Sequence, residues 1–404
     1  EGNILANIVS MDPTGNTDPK IVKQSIVRLT LHEVGHTLGL NHNFKASHLH
    51  DPVSVHDPLI TQKSGVTASV MEYPAVNIAP LGVEQGDYYD VVTGAYDNWA
   101  IEFGYKPNLS EQERDQILFR SDEPELIFGN DADDMRSPGR GIDPRAMTND
   151  LTNDPITYAV QRIELVNQTF SELPTKLEAK SWEEFVNAYQ TLIRESGRSL
   201  QTVSRYIGGV YVNRSTPEQD SELRPFEPVS EEVQKRAMQV LSDHAFSPSA
   251  FPINEEILTL VQKERRGFDF RSEHEDPQVH RNILSIQSSV LAHLLNGWTL
   301  DRMTDSSLYG NSYSVNQMFA DLTDSIFLED ASSRVNTVRQ NLQTLYLRRL
   351  LKLVDEGTGY QMTSAAAYSS IRNIEKIAKR RSQDPETQAH RDFLLWLIDS
   401  ALDD

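Results

Sequence analysis

The sequence predicts an α+β fold leaning mostly α, and three observations carry that expectation. A histidine-rich segment at 32–42 has the spacing of a helix that ends in a turn. A single β-branched segment, 3–11, precedes it. From residue 154 onward, apolar residues recur at helical spacing in one stretch after another. These divide the chain into 1–106, where the chemically interpretable motifs lie, an irregular connecting wrap at 107–150, and a mainly helical region at 151–404.

Taken in order, Asn3-Ile4-Leu5-Ala6-Asn7-Ile8-Val9-Ser10-Met11 reads as one strand by its β-branched content and partial alternation. Asp12 to Pro19 is a turn-rich link; it lacks the spacing of an EF-hand calcium loop. Then comes His32-Glu33-Val34-Gly35-His36-Thr37-Leu38-Gly39-Leu40-Asn41-His42, the pattern HExxHxxGxxH. On a helix, His32 and His36 project from one face and can take two corners of a tetrahedral zinc. A straight helix cannot bring His42 to the same metal. Gly39 offers the solution, because glycine tolerates the positive φ that ends a helix and turns the chain. A fourth position then stays open for water, and Glu33, beside the first ligand, is the natural base for it. The competing reading is an ordinary amphipathic helix that buries Val34, Leu38 and Leu40.

The next loop carries His48, His50, Asp51, His56 and Asp57, donors dense enough to make it a candidate for a second, structural metal (zinc or calcium); the alternative is a solvated loop on the cleft rim. Ser69-Val70-Met71-Glu72-Tyr73-Pro74 alone reads as a buried strand or turn, and Gly94 to Tyr105 as a helix with an aspartate, Asp97, in its first turn. Residues 107–150 are rich in Asp, Arg, Pro and Gly with few periodic apolar positions. Asp154-Pro155 starts a helix, and Ser181 with Glu184 starts another, with Trp182, Phe185, Val186, Tyr189, Leu192 and Ile193 on one face. Further amphipathic stretches cover 230–245, 279–296, 314–328, 332–355, 364–380 and 386–402, the core of a helical bundle. Tyr206 to Arg214 interrupts them with a glycine pair. It is a tight packing site or short strand, or else a segment against the cleft with Arg214 as a possible substrate contact. His244, His274, His280, His293 and His390 are scattered and read as structural or surface residues.

Composition narrows the function. The 404 residues carry a formal charge of −21, which argues against nucleic-acid or anionic-membrane partners. With no cysteine there is neither a disulfide framework nor a thiolate metal site. No apolar run approaches a membrane span.

The zinc pattern together with SVMEYP resembles the metzincin metalloproteases. That resemblance implies a Met-turn in which Met71 forms an apolar floor under the three histidines. It also implies that Tyr73 ligates zinc in the resting site or hydrogen-bonds the oxyanion, as in the astacin and serralysin branches. Glu72 departs from the histidine often found there. Gly94 to Tyr105 resembles the helix that closes such domains, with Asp97 near the Met-turn. HEVGHTLGLNHNFKAS, SVMEYPAVNIAP, Asp143-Pro144-Arg145 and Tyr206 to Tyr211 together resemble one group of large bacterial zinc-dependent metalloproteases with a long helical C-terminal region. The expectations are then a zinc-dependent endopeptidase acting on protein or peptide substrates, one catalytic Zn2+, catalytic Glu33 and Tyr73, and ligands His32, His36 and His42. The alternatives are a non-catalytic zinc-bearing binding or scaffold protein, and a cell-wall peptide amidase using the same site. The resemblance also implies an extracytoplasmic setting, periplasmic or secreted. Only thirty-one residues precede His32, too few for the sheet of a metzincin domain, so an upstream part of a longer precursor is expected to supply the other strands.

Overall fold

Helix α1, Pro19–Thr37, starts where the sequence says it can. Proline has no N–H to leave unsatisfied at the first turn, and the Asp18 carboxylate accepts the Lys20 N–H at 2.8 Å. The computed structural model describes residues 8–9, 18–134, 138–177, 181–219, 222–263 and 274–402. Of the expected strand at 3–11, Ile8 and Val9 are helical, and the rest lies outside the described residues, as does most of the link after it. Helix α1 also inverts the amphipathic expectation. It buries Ile21, Gln24, His32 and Gly35, while Val22, Ile26, Leu29, Val34 and Leu38 are exposed. A helix that buries a histidine and a glycine in preference to its valines is shaped by a site.

Short helices follow: α2, Pro58–Ser64, capped by Asp57, and α3, Ala95–Tyr105. The segment expected to be an irregular wrap contains a helix, α4, Glu111–Phe119. It starts at a reciprocal cap in which Ser110 accepts the Glu113 N–H and Glu113 accepts the Ser110 N–H. Its exposed, polar sequence buries only Ile117, so apolar periodicity could not reveal it.

The helical region then runs α5, Pro155–Lys176, and α6, Trp182–Ser204. It continues with α7, Glu231–Leu241; α8, Val279–Leu294; α9, Gly297–Ser306; and α10, Val315–Phe327. Last come α11, Thr337–Glu356; α12, Gln361–Ala378; and α13, Pro385–Leu402. Asp154 and Ser181 cap α5 and α6 as their sequences require. On α6 the stripe Phe185, Val186, Tyr189 and Leu192 is buried, although Trp182 is exposed. Among the described residues the β component is one antiparallel ribbon, β1, Val210–Val212, paired with β2, Phe226–Pro228. Among the described residues the β structure therefore sits inside the helical region. Gly208 turns the chain into β1 at φ +70°. A Cβ there would meet Met303 at 2.8 Å.

Two apolar cores organise these elements. The larger gathers α5 to α13 around residues such as Leu241, Phe246, Leu294, Phe319 and Tyr346. The smaller joins Ile8, Ile21, Val76, Ile78 and Tyr88 to Leu165, Phe170, Leu173, Phe185 and Tyr189 of α5 and α6. The helix pair α5–α6 is thus the platform on which α1 and the 76–88 segment rest.

Candidate metal centre

Helix α1 ends one residue short of the glycine that the motif requires. Gly39 has φ +87°, its N–H donates to His36 O at 3.0 Å, and Leu40 N–H reaches back to Gly35 O at 3.1 Å. This is a left-handed glycine stop with paired back-bonds. It turns the chain so that His42 comes back beside His32 and His36, and one ring nitrogen from each lies within 4.8 Å of the others.

Which nitrogens converge follows from the hydrogen bonds. Nδ1–H of His32 donates to Val70 O at 2.8 Å and that of His36 to Leu40 O at 3.0 Å. His42 Nδ1–H donates to Asp131 Oδ2 at 2.7 Å. With each Nδ1 protonated and held, each Nε2 carries a lone pair toward the common centre. Nε2 of His32 and of His42 are buried with no protein partner. Orphaned acceptors of this kind are costly unless something binds them, so the donor set fits one divalent metal with a nitrogen preference. Burial, above all, lowers the His32 pKa, favouring the neutral ligand form.

The floor is Met71, fully buried beneath Gly35. A Cβ on Gly35 would lie 2.3 Å from the Met71 sulfur, which explains a glycine between the two helical histidines. Asp97 fixes this turn. Its carboxylate accepts Ser69 Oγ–H at 2.6 Å, Val70 N–H at 2.9 Å and Gly94 N–H at 2.9 Å. It thereby ties the start of α3 to the strip bearing Val70 O and Met71. Burial raises its pKa against these bonds.

Tyr73 lies against the histidines, its ring centroid 4.8 Å from His32 and 4.9 Å from His42, with the Arg28 guanidinium over its face at 5.1 Å. Glu72, the departure from the family pattern, points inward. It accepts Ser47 N–H at 3.1 Å and Tyr73 N–H at 2.8 Å, and burial, then the nearby Asp150 charge, pushes its pKa well above the usual range. Glu33 is exposed on α1 next to His32.

The loop donors do not converge. Among the described residues the only group of three or more metal-capable side chains is His32, His36 and His42. His50 Nε2 is bonded to Gly65 O, Asp51 caps the turn at Val53 and Ser54, and Asp57 caps α2. These three are spent on local backbone, whereas ring nitrogens of His48 and His56 are buried and make no such bond; the five donors do not gather into one cluster. Arg214 is exposed and ion-paired with Asp133, on the rim of a pocket of about 180 Å³ with Lys45, Tyr96, Trp99 and Phe128. Asp131 was not legible as a site residue, being 89 positions from His42 in a segment without periodicity. A second unforeseen tether is Asp143, buried between Lys45 Nζ at 2.7 Å and Arg145 at 2.8 Å, which locks the strip after His42 to β1. Tyr105 also closes on the site, its hydroxyl donating to Leu38 O at 2.9 Å.

Three converging histidines, a glycine stop and a methionine floor make a candidate metal centre of the metzincin kind. The family described as Met-zincin matches residues 14–334, and the chain belongs to it, a metzincin-clan zinc metalloprotease. No curated protein matches the chain, and no solved structure does. Among the described residues, no helix is long and apolar enough to cross a membrane.

Proposed function

We propose that the chain is a zinc-dependent endopeptidase in which Glu33 is the general base and Tyr73 the oxyanion donor. The observation that carries this reading is the pair of buried, partnerless Nε2 atoms of His32 and His42 beside His36, with Glu33 intact next to the first ligand. His32, His36 and His42 would hold the zinc; when bound there it acts as a Lewis acid on water and on the scissile carbonyl. Glu33 takes a proton from the attacking water and passes it to the leaving amine, so no covalent enzyme intermediate is needed. The Tyr73 phenol donates a hydrogen bond to the carbonyl oxygen as it gains charge, and Arg28 over its ring holds the ring in place. Arg214 serves substrate binding only where a substrate group competes with Asp133.

In this reading 1–106 is the catalytic region, and the helices after 151 support it through α5 and α6. The setting is extracytoplasmic, periplasmic or secreted. A scaffold role has less support, because a site that only holds zinc has no use for Glu33.

The test is cleavage of unfolded casein by the zinc-loaded chain beside its Glu33→Ala variant. The variant is expected to keep its metal and lose turnover by about 10²–10⁴-fold, the range for a general base. Equal cleavage by both would sink the assignment.

A further inference from the structure

We propose that the pocket directly beyond Tyr73 is a substrate subsite for a carboxylate, an Asp or Glu side chain near the scissile bond or the substrate's chain terminus. The inference rests on the protease reading above and names its substrate class. The pocket measures about 180 Å³ and is lined by Tyr73, Asn149, Arg28, Arg162, Arg198 and Glu195, among others. That is well below the roughly 300–1,000 Å³ of small-molecule sites, and suits one side chain. It shares Tyr73 with the metal centre, so the two sites adjoin.

The charge of its wall is the second observation. Three guanidiniums line it against one carboxylate, in a chain whose formal charge is −21. Composition does not explain a cationic pocket here. Arg162 is the buried member, its side chain only 3% exposed. Its Nε and Nη2 both donate to Glu195 Oε1, at 3.0 and 2.8 Å, while its Nη1 is buried with no protein partner. A buried guanidinium N–H without a protein acceptor is costly, and in the pocket that Arg162 lines the group that best answers this charge is an anion with two oxygens. Arg28 adds a positive charge at the mouth, one turn before His32 on the same face of α1, held by its bond to Glu72 O and by the Tyr73 ring. Arg198 brings a third from α6. Planar, permanently charged guanidiniums in a confined space select carboxylate over amide by charge and by fork geometry.

The experiment uses the full chain loaded with zinc and a pool of peptides, with cleaved bonds mapped by mass spectrometry. One peptide of the pool, a cleaved one where cleavage occurs and otherwise one that binds, is then remade with each acidic residue changed to its amide, and with a free or amidated C-terminus. Binding of the same set to the metal-loaded Glu33→Ala variant is measured by fluorescence anisotropy, so the subsite is tested even without turnover. An acidic residue at one fixed distance from the cut, or a required free terminus, is expected. Neutralising it should lower kcat/KM and binding roughly tenfold or more, as for one charged hydrogen bond. Arg28→Gln and Arg198→Gln should each narrow the gap between acid and amide peptides. Arg162 is left intact, because its Glu195 pair also joins α5 to α6. Cleavage that depends on Glu33 but ignores substrate carboxylates, or binding that is equal for acid and amide, overturns the subsite and leaves the protease reading standing. Acid-selective binding without any Glu33-dependent cleavage supports the subsite and overturns the protease reading.

Discussion

Replacing Asp131 by alanine tests how the third histidine is held. His32 and His36 project from α1 and donate Nδ1–H to backbone carbonyls, so helix and strip orient them together. His42 belongs to no element; it depends on the Gly39 turn and on one side chain, Asp131, at 2.7 Å. Removing the carboxylate leaves Nδ1 without its acceptor, and the imidazole can then rotate or place its proton on Nε2, where it no longer ligates. Loss of such an orienting partner costs about 10–100-fold in metal affinity. The Asp131 side chain is 59% exposed, so water can take its place as acceptor, and the expected loss is the lower end, about tenfold or ~1.4 kcal/mol. Asp131→Asn keeps an acceptor oxygen without the charge and should fall between. The assay is competition for zinc against a chromophoric chelator, with Asp133→Ala as control because that carboxylate pairs with Arg214 instead. An Asp131→Ala protein with unchanged zinc affinity would refute the orienting role and leave the Gly39 turn as the whole explanation of where His42 sits.

Other outcomes follow from the same geometry. Gly35→Ala places a Cβ 2.3 Å from the sulfur of a fully buried methionine, so chemical denaturation should show a loss of about 1–3 kcal/mol together with weaker zinc binding. Unchanged stability would mean that Met71 has room to move. Asp90 gives a pH signature. Burial pushes its carboxyl from 3.8 up to about 6, although Val66 N–H and Thr67 N–H donate to it at 2.6 and 3.0 Å. An acid held more tightly protonated in the fold contributes stability that is full below its unfolded pKa of about 3.9 and is lost as pH rises through about 6. The difference amounts to about 3 kcal/mol at neutral pH. Asp90→Asn should therefore raise the Tm above pH 7 and give little gain at pH 4. A gain that does not vary with pH would contradict the burial argument.

The divide between what was legible in the sequence and what was not follows the distance over which each constraint acts. The two helical histidines, the glycine stop, the Asp18 and Asp154 caps and the α6 stripe are all set by neighbours within a turn or two. Spacing alone exposes such constraints. Asp97 lies between these cases. Its place at the start of a helix is local, but its three bonds to Ser69, Val70 and Gly94 became visible only in the fold. Asp131, Asp143 and the Glu72–Ser47 contact join segments 25 to 98 positions apart, and no periodicity in a loop of Asp, Gly and Pro marks which aspartate will arrive.

The strand expected at Ile8 failed for the complementary reason. β-branched content measures fitness for a half-buried surface of either kind, and here that surface is the α5–α6 platform, against which Ile8 packs as part of a helix. The same competition explains why α1 exposes its valines. His32, Gly35 and the methionine floor face the interior, on the buried line of α1 that also holds Ile21 and Gln24, and Val22, Ile26 and Leu29 lie off that line. A motif that commits one helical face to chemistry displaces the apolar stripe from it, so low amphipathic order around HExxH goes with histidines gathered about a common point.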